Sequence, residues 1–319
     1  MFKYIKNSLN IIYQHQDFYL NKKPRQNEKH FLHLKKSKGY IMKKLIYFLA
    51  LSLSTNAFSQ VLTPQPSPAA SLQQTVGLTE VSVIYSRPSV RGRDVMGALV
   101  PYGELWRTGA NQNTIVKFSD AVTFGDQELA AGSYAIYSRP GKELWEVFFY
   151  TDTENWGTPA EWDASKVAAT VEVAPTIGGN IESFSIWISN LHNNGATLNM
   201  GWADTRVALD FGVPTVAKAT ASINEALKGE PKHRDYYSAA VYYLQEGQDL
   251  NQAKAWMEKA IEGKDDAYWY FRQYSLILEG LNDVDGAIEA AKKSLALAET
   301  AGNPDYVRMN KASIAEWSK

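Results

Sequence analysis

The chain of 319 residues contains no cysteine. This absence excludes disulfide bonds, thiolate catalysis, zinc sites with cysteine ligands and a lipid anchor attached to cysteine. Histidine is scarce as well: there are five, and His15, His30 and His33 all precede residue 42. The other two, His192 and His233, do not have the spacing of a metal-ligand pair. We therefore expect no metal site and no cofactor.

The apolar run at residues 45–53 is too short to span a bilayer as a permanent helix. It follows the basic stretch Met42-Lys43-Lys44 and precedes Ala57-Phe58-Ser59, which has small residues at the −3 and −1 positions. This is the layout of a secretory signal peptide at residues 42–59, cleaved after Ser59. We expect an exported protein, periplasmic or secreted, with no stable membrane insertion of the mature chain.

Residues 1–41 carry nine Lys and Arg against two acidic residues. They are either a basic arm for nucleic acid or an anionic membrane surface, or an N-terminal extension mis-assigned to a chain that starts at Met42. We favour the second interpretation, because an export signal should begin the chain. Residues 1–59 hold 11 of the 33 Lys and Arg and two of the 34 Asp and Glu. The remainder is about ten charges negative, which argues against binding of nucleic acid.

After a Pro-rich linker at residues 60–70, runs of β-forming residues recur about every ten residues between turn signals. Some of them alternate apolar and polar residues, which predicts one buried and one solvated face. Eight or nine such strands without intervening helices predict an antiparallel β-sandwich or jelly roll over residues 71–214. The clearest predicted strands are 80–85, 114–118, 134–138, 145–150, 168–174, 184–189, 197–202 and 205–211.

From residue 215 the hydrophobic period becomes helical, and positions recur at a spacing of 34 residues. Tyr236, Leu244, Asp249, Ala253 and Ala260 are matched by Tyr270, Leu278, Asp283, Ala287 and Ser294. This period is typical of tetratricopeptide repeats, which are stacked helix pairs. We predict a helix at 216–228, helix pairs at 234–263 and 266–300, and a final helix at 305–318. The predicted fold class is a multidomain α+β chain, in which a β-sandwich precedes a short α-solenoid at residues 215–319.

Residues 87–114, the arginine segment, contain four arginines and no lysine. A guanidinium group offers a planar fork of donors that suits carboxylate or phosphate. The segment is either an anion site in a cavity or an internal clasp, with the arginines paired to Asp94, Glu104 or Asp120. The candidate ligand-binding residues are Arg87, Arg91, Arg93, Tyr102, Trp106, Arg107, Asn111 and Asn113.

A second candidate patch consists of Trp156, Glu161 and Trp162. Acids beside tryptophans are typical of sugar sites, and the alternative is a loop anchored to the sandwich edge by its tryptophans. No Gly-x-Ser-x-Gly elbow is present, and His192 is an isolated histidine in a turn-rich stretch. We therefore predict no catalytic residue.

Four motifs also resemble a known family. They are RGR at residues 91–93, VPYGELWRTGANQNT at 100–114, AGSY at 131–134 and WG at 156–157. Together they resemble the secreted domain-of-unknown-function family number 2911 over residues 67–213. Members of that family often combine an export signal, this β-domain and a helical repeat tail. The resemblance implies the architecture and transfers no catalytic residue.

These observations predict a non-catalytic module of the cell envelope that binds a ligand or a partner. In this hypothesis the β-domain holds a small anionic or glycan-like ligand, and residues 215–319 contact a protein partner. One alternative is a hydrolase acting on glycans or acyl groups through carboxylates such as Glu104 or Glu161. Another is a purely structural envelope component.

Overall fold

The computed structural model describes residues 63–319, and the first part of this range forms antiparallel β-sheets. One sheet has the strand order β1-β2-β3-β6-β7-β8 and the other has the order β5-β4-β10-β9. The strands are β1 (Ala69–Val76), β2 (Thr79–Ser86), β3 (Thr114–Phe118), β4 (Val122–Phe124), β5 (Gln127–Leu129), β6 (Gly132–Arg139), β7 (Trp145–Tyr150), β8 (Val167–Val173), β9 (Thr176–His192) and β10 (Gly195–Gly212).

The inward-facing residues of both sheets form one continuous apolar core. In β2, Val81, Val83 and Tyr85 are buried, while the residues between them face outward. This alternation is the reason that the two-residue period identified the strands. The α+β fold class is confirmed, and each of the eight predicted segments overlaps an observed strand. The segments predicted at 197–202 and 205–211 belong to the single strand β10, which continues through register shifts between Gly201 and Thr205.

A side chain from the smaller sheet forms hydrogen bonds with β8, the edge strand of the larger sheet. The amide nitrogen of Gln127 donates to the carbonyl oxygen of Thr170 (2.8 Å), and the Thr170 N–H donates to the amide oxygen of Gln127 (3.1 Å). Gln127 therefore supplies the donor and the acceptor that a further strand would offer at this position.

Helices occupy the rest of the described chain. They are α1 (Thr215–Lys228), α2 (His233–Gln245), α3 (Leu250–Glu262), α4 (Tyr268–Gly280), α5 (Val284–Thr300) and α6 (Pro304–Trp317). Asp249 and Asp283, which are 34 residues apart, are the N-caps of α3 and α5 and accept backbone N–H groups there. Ala253 and Ala287 are fully buried at equivalent positions of the same two helices. The helical region is thus confirmed, while its assignment to the tetratricopeptide family stays a prediction.

Polar contacts fix the start of the helical region to one end of the sandwich. The Lys218 ammonium lies 2.7 Å from each carboxylate oxygen of Asp120 and donates to the carbonyl of Leu78 at 2.9 Å. The Glu246 carboxylate accepts hydrogen bonds from the side chains of Asn193 and Asn194 in the β9–β10 turn. Leu78 lies just before β2, whose eight residues span about 26 Å. The helices therefore dock at the opposite end of β2 from the arginine segment.

The predicted extension 1–41 and signal peptide 42–59 lie outside the described residues. Strand β1 begins at Ala69, inside the span predicted as linker 60–70. Between residues 63 and 319, no helix is both long and apolar enough to cross a membrane.

Candidate anion-binding site

The arginine segment lies across the end of the sandwich and is bonded to strands of both sheets. The Val90 N–H donates to the Glu182 carbonyl (2.7 Å), and the Phe184 N–H donates to the Pro88 carbonyl (2.9 Å), so the segment runs beside β9. Further along, Trp106 exchanges two backbone hydrogen bonds with Ser138 of β6. These bonds tie the irregular backbone between them to both sheets.

An aromatic cluster lies beneath the segment. The Trp106 ring stacks on Trp202 of β10, with centroids 5.9 Å apart and planes inclined by 17°. Trp145 and Phe184 contact Trp106 edge to face at 6.2 and 5.3 Å. The Trp106 indole N–H donates to the Gly109 carbonyl (3.1 Å), which curls the chain back after Arg107. Trp106 and Trp202 of this cluster form an apolar part of the lining of a cavity.

Above this cluster is a cavity of about 320 Å³. Its cationic lining residues are Arg91, Arg93 and Arg107. Its other lining residues are Pro66, Ser67, Pro88, Ser89, Leu99, Val100, Trp106, Gly109, Ala110 and Trp202. The lining contains no aspartate or glutamate. An anion that entered this cavity would therefore meet positive charge in its lining, while the Glu182 carboxylate, which accepts the Arg91 backbone N–H (2.9 Å), lies outside that lining.

The arginines do not form the predicted acidic clasp. Among residues 63–319, no carboxylate oxygen lies within 4.0 Å of the guanidinium groups of the four arginines in the segment. Of the three acids predicted as partners, Asp120 pairs with Lys218 at the far end of β2. The prediction that Asp94, Glu104 or Asp120 neutralises these arginines is therefore wrong for the described part of the chain.

Backbone carbonyl groups hold the cavity arginines instead. Arg91 donates to the Pro66 carbonyl (2.9 Å), and Arg107 donates to the Asn111 carbonyl (2.9 Å). Arg93 donates to two carbonyls, at 3.0 and 2.6 Å. Neutral carbonyls orient a guanidinium group without cancelling its charge. Each guanidinium has five N–H groups, and these bonds use one of them in Arg91, one in Arg107 and two in Arg93.

Strained backbone and an unsatisfied buried N–H group occur around the cavity. Six non-glycine residues in the described chain have positive φ, and four of these line the cavity or lie beside a lining residue: Arg91, Thr108, Asn111 and Ala203. The buried indole N–H of Trp202 also has no acceptor among residues 63–319. Strained backbone costs on the order of 1–3 kcal/mol per residue and is found preferentially at functional sites.

Residues 67–211 match the family described as Protein of unknown function (DUF2911). The match confirms the resemblance seen in the segment motifs, and its description assigns no activity. The solution structure of protein BPP2914 from Bordetella parapertussis is similar over 31% of this chain and 86% of that one, with 18% identity and a TM-score of 0.29. No curated protein matches the chain.

Arg87 and Tyr102, which were also predicted to bind the ligand, do not line the cavity. Arg87 is bonded to the Phe184 carbonyl (2.9 Å) and the Ser185 hydroxyl (2.6 Å), away from the cavity lining. Tyr102 is exposed and lies under the Lys142 ammonium, 5.9 Å from the ring centre. Neither residue faces the cavity, so only part of the predicted set converges on it.

The two predicted amides are structural in the described chain. Asn111 donates to the Ser67 carbonyl at 3.0 Å, which ties the lead-in of β1 to the segment. Asn113 is 3% exposed, and its side chain contacts the hydroxyl of Tyr137 at 3.4 Å. Burial raises the pKa of the Tyr137 hydroxyl. These amides therefore position the backbone around the cavity and do not line it.

The residues of the second predicted patch, Trp156, Glu161 and Trp162, differ in their exposure to solvent. Trp162 is partly buried and stacks on Tyr150 (4.6 Å, 25°), as expected for a loop anchored on the sheet. Trp156 is 71% exposed, and Glu161 is exposed as well. Neither Glu161 nor Glu104, the carboxylates of the hydrolase alternative, lines the arginine cavity. Among residues 63–319, no cluster of three or more His, Asp and Glu side chains could hold a metal ion.

The sequence reasoning missed Trp202, the residue that stacks beneath Trp106. A lone tryptophan in a run of strand residues resembles any other core position. Its place at the end of the sandwich depends on the register shift in β10 between Gly201 and Ala203. Such irregularities redirect side chains, and the isolated Gly201 within a run of strand residues is the sequence signal that could have indicated this one.

Proposed function

We propose that the β-domain is a non-catalytic binding module for small organic anions, with the arginine cavity as its site. The observation that carries this proposal is that Arg91, Arg93 and Arg107 line one cavity with no carboxylate in its lining. The apolar walls that include Leu99, Val100 and Trp106 suit a ligand with an apolar body. Carboxylate and phosphate are the anionic groups that a guanidinium fork fits.

The lining residues support binding rather than catalysis. A hydrolase would need a nucleophile or an acid–base pair within reach of the anion site. The lining supplies only Ser67 and Ser89 as hydroxyl groups, and the Ser89 hydroxyl contacts the hydroxyl of Ser183 at 3.2 Å. No histidine, aspartate or glutamate lines the cavity to activate either serine.

The proposal is tested by titrating the protein with benzoate and following amide shifts by NMR. Replacing Arg107 with glutamine should weaken benzoate binding at least about tenfold, because a hydrogen bond to a charged group contributes roughly 1.5–3 kcal/mol. Arg206→Gln is the matched control, since the Arg206 guanidinium also donates to a backbone carbonyl but does not line the cavity. Equal benzoate affinity in wild type and both variants would contradict the proposal.

We further propose that this module is exported and that the helices contact a protein partner. Export is supported by the residue pattern at 42–59. The partner is supported by a stack of helices held at the end of the sandwich away from the cavity, which leaves the ligand site free. N-terminal sequencing of the exported form should begin at Gln60, and recovery of residues 1–59 on that form would contradict cleavage at Ser59.

A further inference from the structure

Trp156 stands in solvent on a backbone that is fixed on both sides. Its side chain is 71% exposed, although tryptophan is on average a highly buried residue. The Gly157 carbonyl accepts a hydrogen bond from the hydroxyl of Tyr137 (3.2 Å), whose side chain is fully buried. On the other side, the Asn113 N–H donates to the Asn155 carbonyl at 3.5 Å. Buried groups thus bond the backbone carbonyls of the residues before and after an exposed aromatic side chain.

The same loop packs against Arg107, one of the arginines that line the cavity. Gly157 has φ +97°, and a Cβ atom placed on it would lie 3.1 Å from Nη1 of Arg107. Consecutive Cα atoms are about 3.8 Å apart, so the Trp156 Cα lies within about 8–9 Å of that guanidinium nitrogen. Such a distance is comparable to the length of a tryptophan side chain. Trp156 does not line the cavity, so a ligand that contacts both Arg107 and the indole would extend out of it.

We infer that Trp156 is a specificity-determining residue of the anion site, stacking on a flat ring of the ligand while Arg107 binds its anionic group. The ligand class is then ring acids, in which a carboxylate or phosphate is attached to an aromatic or sugar ring. An indole face attracts both kinds of ring through dispersion and contact with C–H groups. This inference rests on the proposed function and adds the part of the ligand that lies outside the cavity.

A stacking role for Trp156 gives a reason for the hydrogen bonds that hold the backbone on both sides of it. A stacking platform contributes most when its backbone is ordered before the ligand arrives, since the cost of ordering is then not subtracted from the affinity. Tyr137 and Asn113 provide that order from beneath the sheet surface. The glycine after Trp156 leaves room for Arg107, because a side chain there would meet the guanidinium group.

The test uses the full chain and three probes that share a carboxylate: benzoate, glucuronate and acetate. Trp156→Ala should weaken benzoate and glucuronate about fivefold, as expected for one stacking contact, and leave acetate unchanged. Trp156→Phe keeps an aromatic face and should restore most of the affinity for both ring acids. Ile177→Ala is the control, because Ile177 is 75% exposed and does not line the cavity.

The outcomes separate this inference from the proposed function. If Arg107→Gln weakens all three probes and Trp156→Ala weakens none of them, or all of them equally, the stacking role is refuted and the anion site stands. If Arg107→Gln weakens no probe, the anion site itself fails, and the inference fails with it. Quenching of wild-type fluorescence by benzoate that is lost in Trp156→Phe would give independent support for stacking.

Discussion

The contact between Lys218 and Asp120 allows a quantitative test of how the helices are held on the sandwich. The ammonium group lies 2.7 Å from both carboxylate oxygens, and the side chains are 39% and 21% exposed. Hydrogen bonds between charged groups contribute roughly 1.5–3 kcal/mol when well buried, and exposed pairs about 0.2–1 kcal/mol. For this intermediate exposure we expect a coupling free energy of about 1 kcal/mol.

A double-mutant cycle with Asp120→Asn, Lys218→Met and the double variant measures this coupling. Unfolding should be followed in urea, because an ionic denaturant would screen the pair. The control is the pair Glu225 and Lys228, which is 3.5 Å apart with side chains 80% and 73% exposed, and for which no resolvable coupling is expected. A coupling at Asp120 no larger than that of the control would refute the argument that this contact fixes the helices.

Two further predictions concern the cavity backbone and acid stability. Gly109→Ala should destabilise the protein by about 1–3 kcal/mol in thermal unfolding, because φ is +149° and the added Cβ would lie 3.0 Å from Oγ1 of Thr114. Gly179→Ala is the control: there is open space around Gly179, so this substitution should change the stability little. The pKa of Asp120 is lowered chiefly by its bond to Lys218, and that of Glu246 by bonds from two asparagines. Both carboxylates therefore stabilise the fold above their usual pKa values of 3.8 and 4.5, and this stabilisation is lost as pH falls below those values. The urea midpoint should drop less between pH 6 and pH 3 in the double variant Asp120→Asn, Glu246→Gln than in wild type, and an equal drop would contradict this assignment.

The secondary structure could be predicted from the sequence because each part has a strong period. In β2 the alternation of Val81, Val83 and Tyr85 with outward residues specifies a half-buried strand. In the helical part, Asp249 and Asp283 recur as N-caps because the same turn is built twice. Both signals are local, so they can be read without knowledge of the tertiary contacts. No strand was predicted over β1 (Ala69–Val76), and the linker predicted at 60–70 includes its first two residues, because the polar residues of β1 carry a weaker pattern.

The site could be located from the sequence, but its electrostatics could not be predicted. Composition marked the arginine segment and suggested acidic partners for it. The actual partners of Arg91, Arg93 and Arg107 are carbonyl groups, which every residue has and which no sequence pattern singles out. Positive φ at Arg91 bends the chain there, and this choice of conformation depends on packing at the end of the sandwich. Whether an arginine is neutralised is therefore a property of the tertiary structure.

The hydrogen bonds of the Gln127 side chain affect how readily another chain could add a strand to the β8 edge. An open sheet edge is a template on which another chain can add a strand, and repeated addition leads to fibres. At Thr170 an incoming chain would first have to displace two hydrogen bonds, of 2.8 and 3.1 Å. At Thr170 the outward backbone N–H and carbonyl of β8 are already bonded, so strand addition there carries the cost of breaking both bonds.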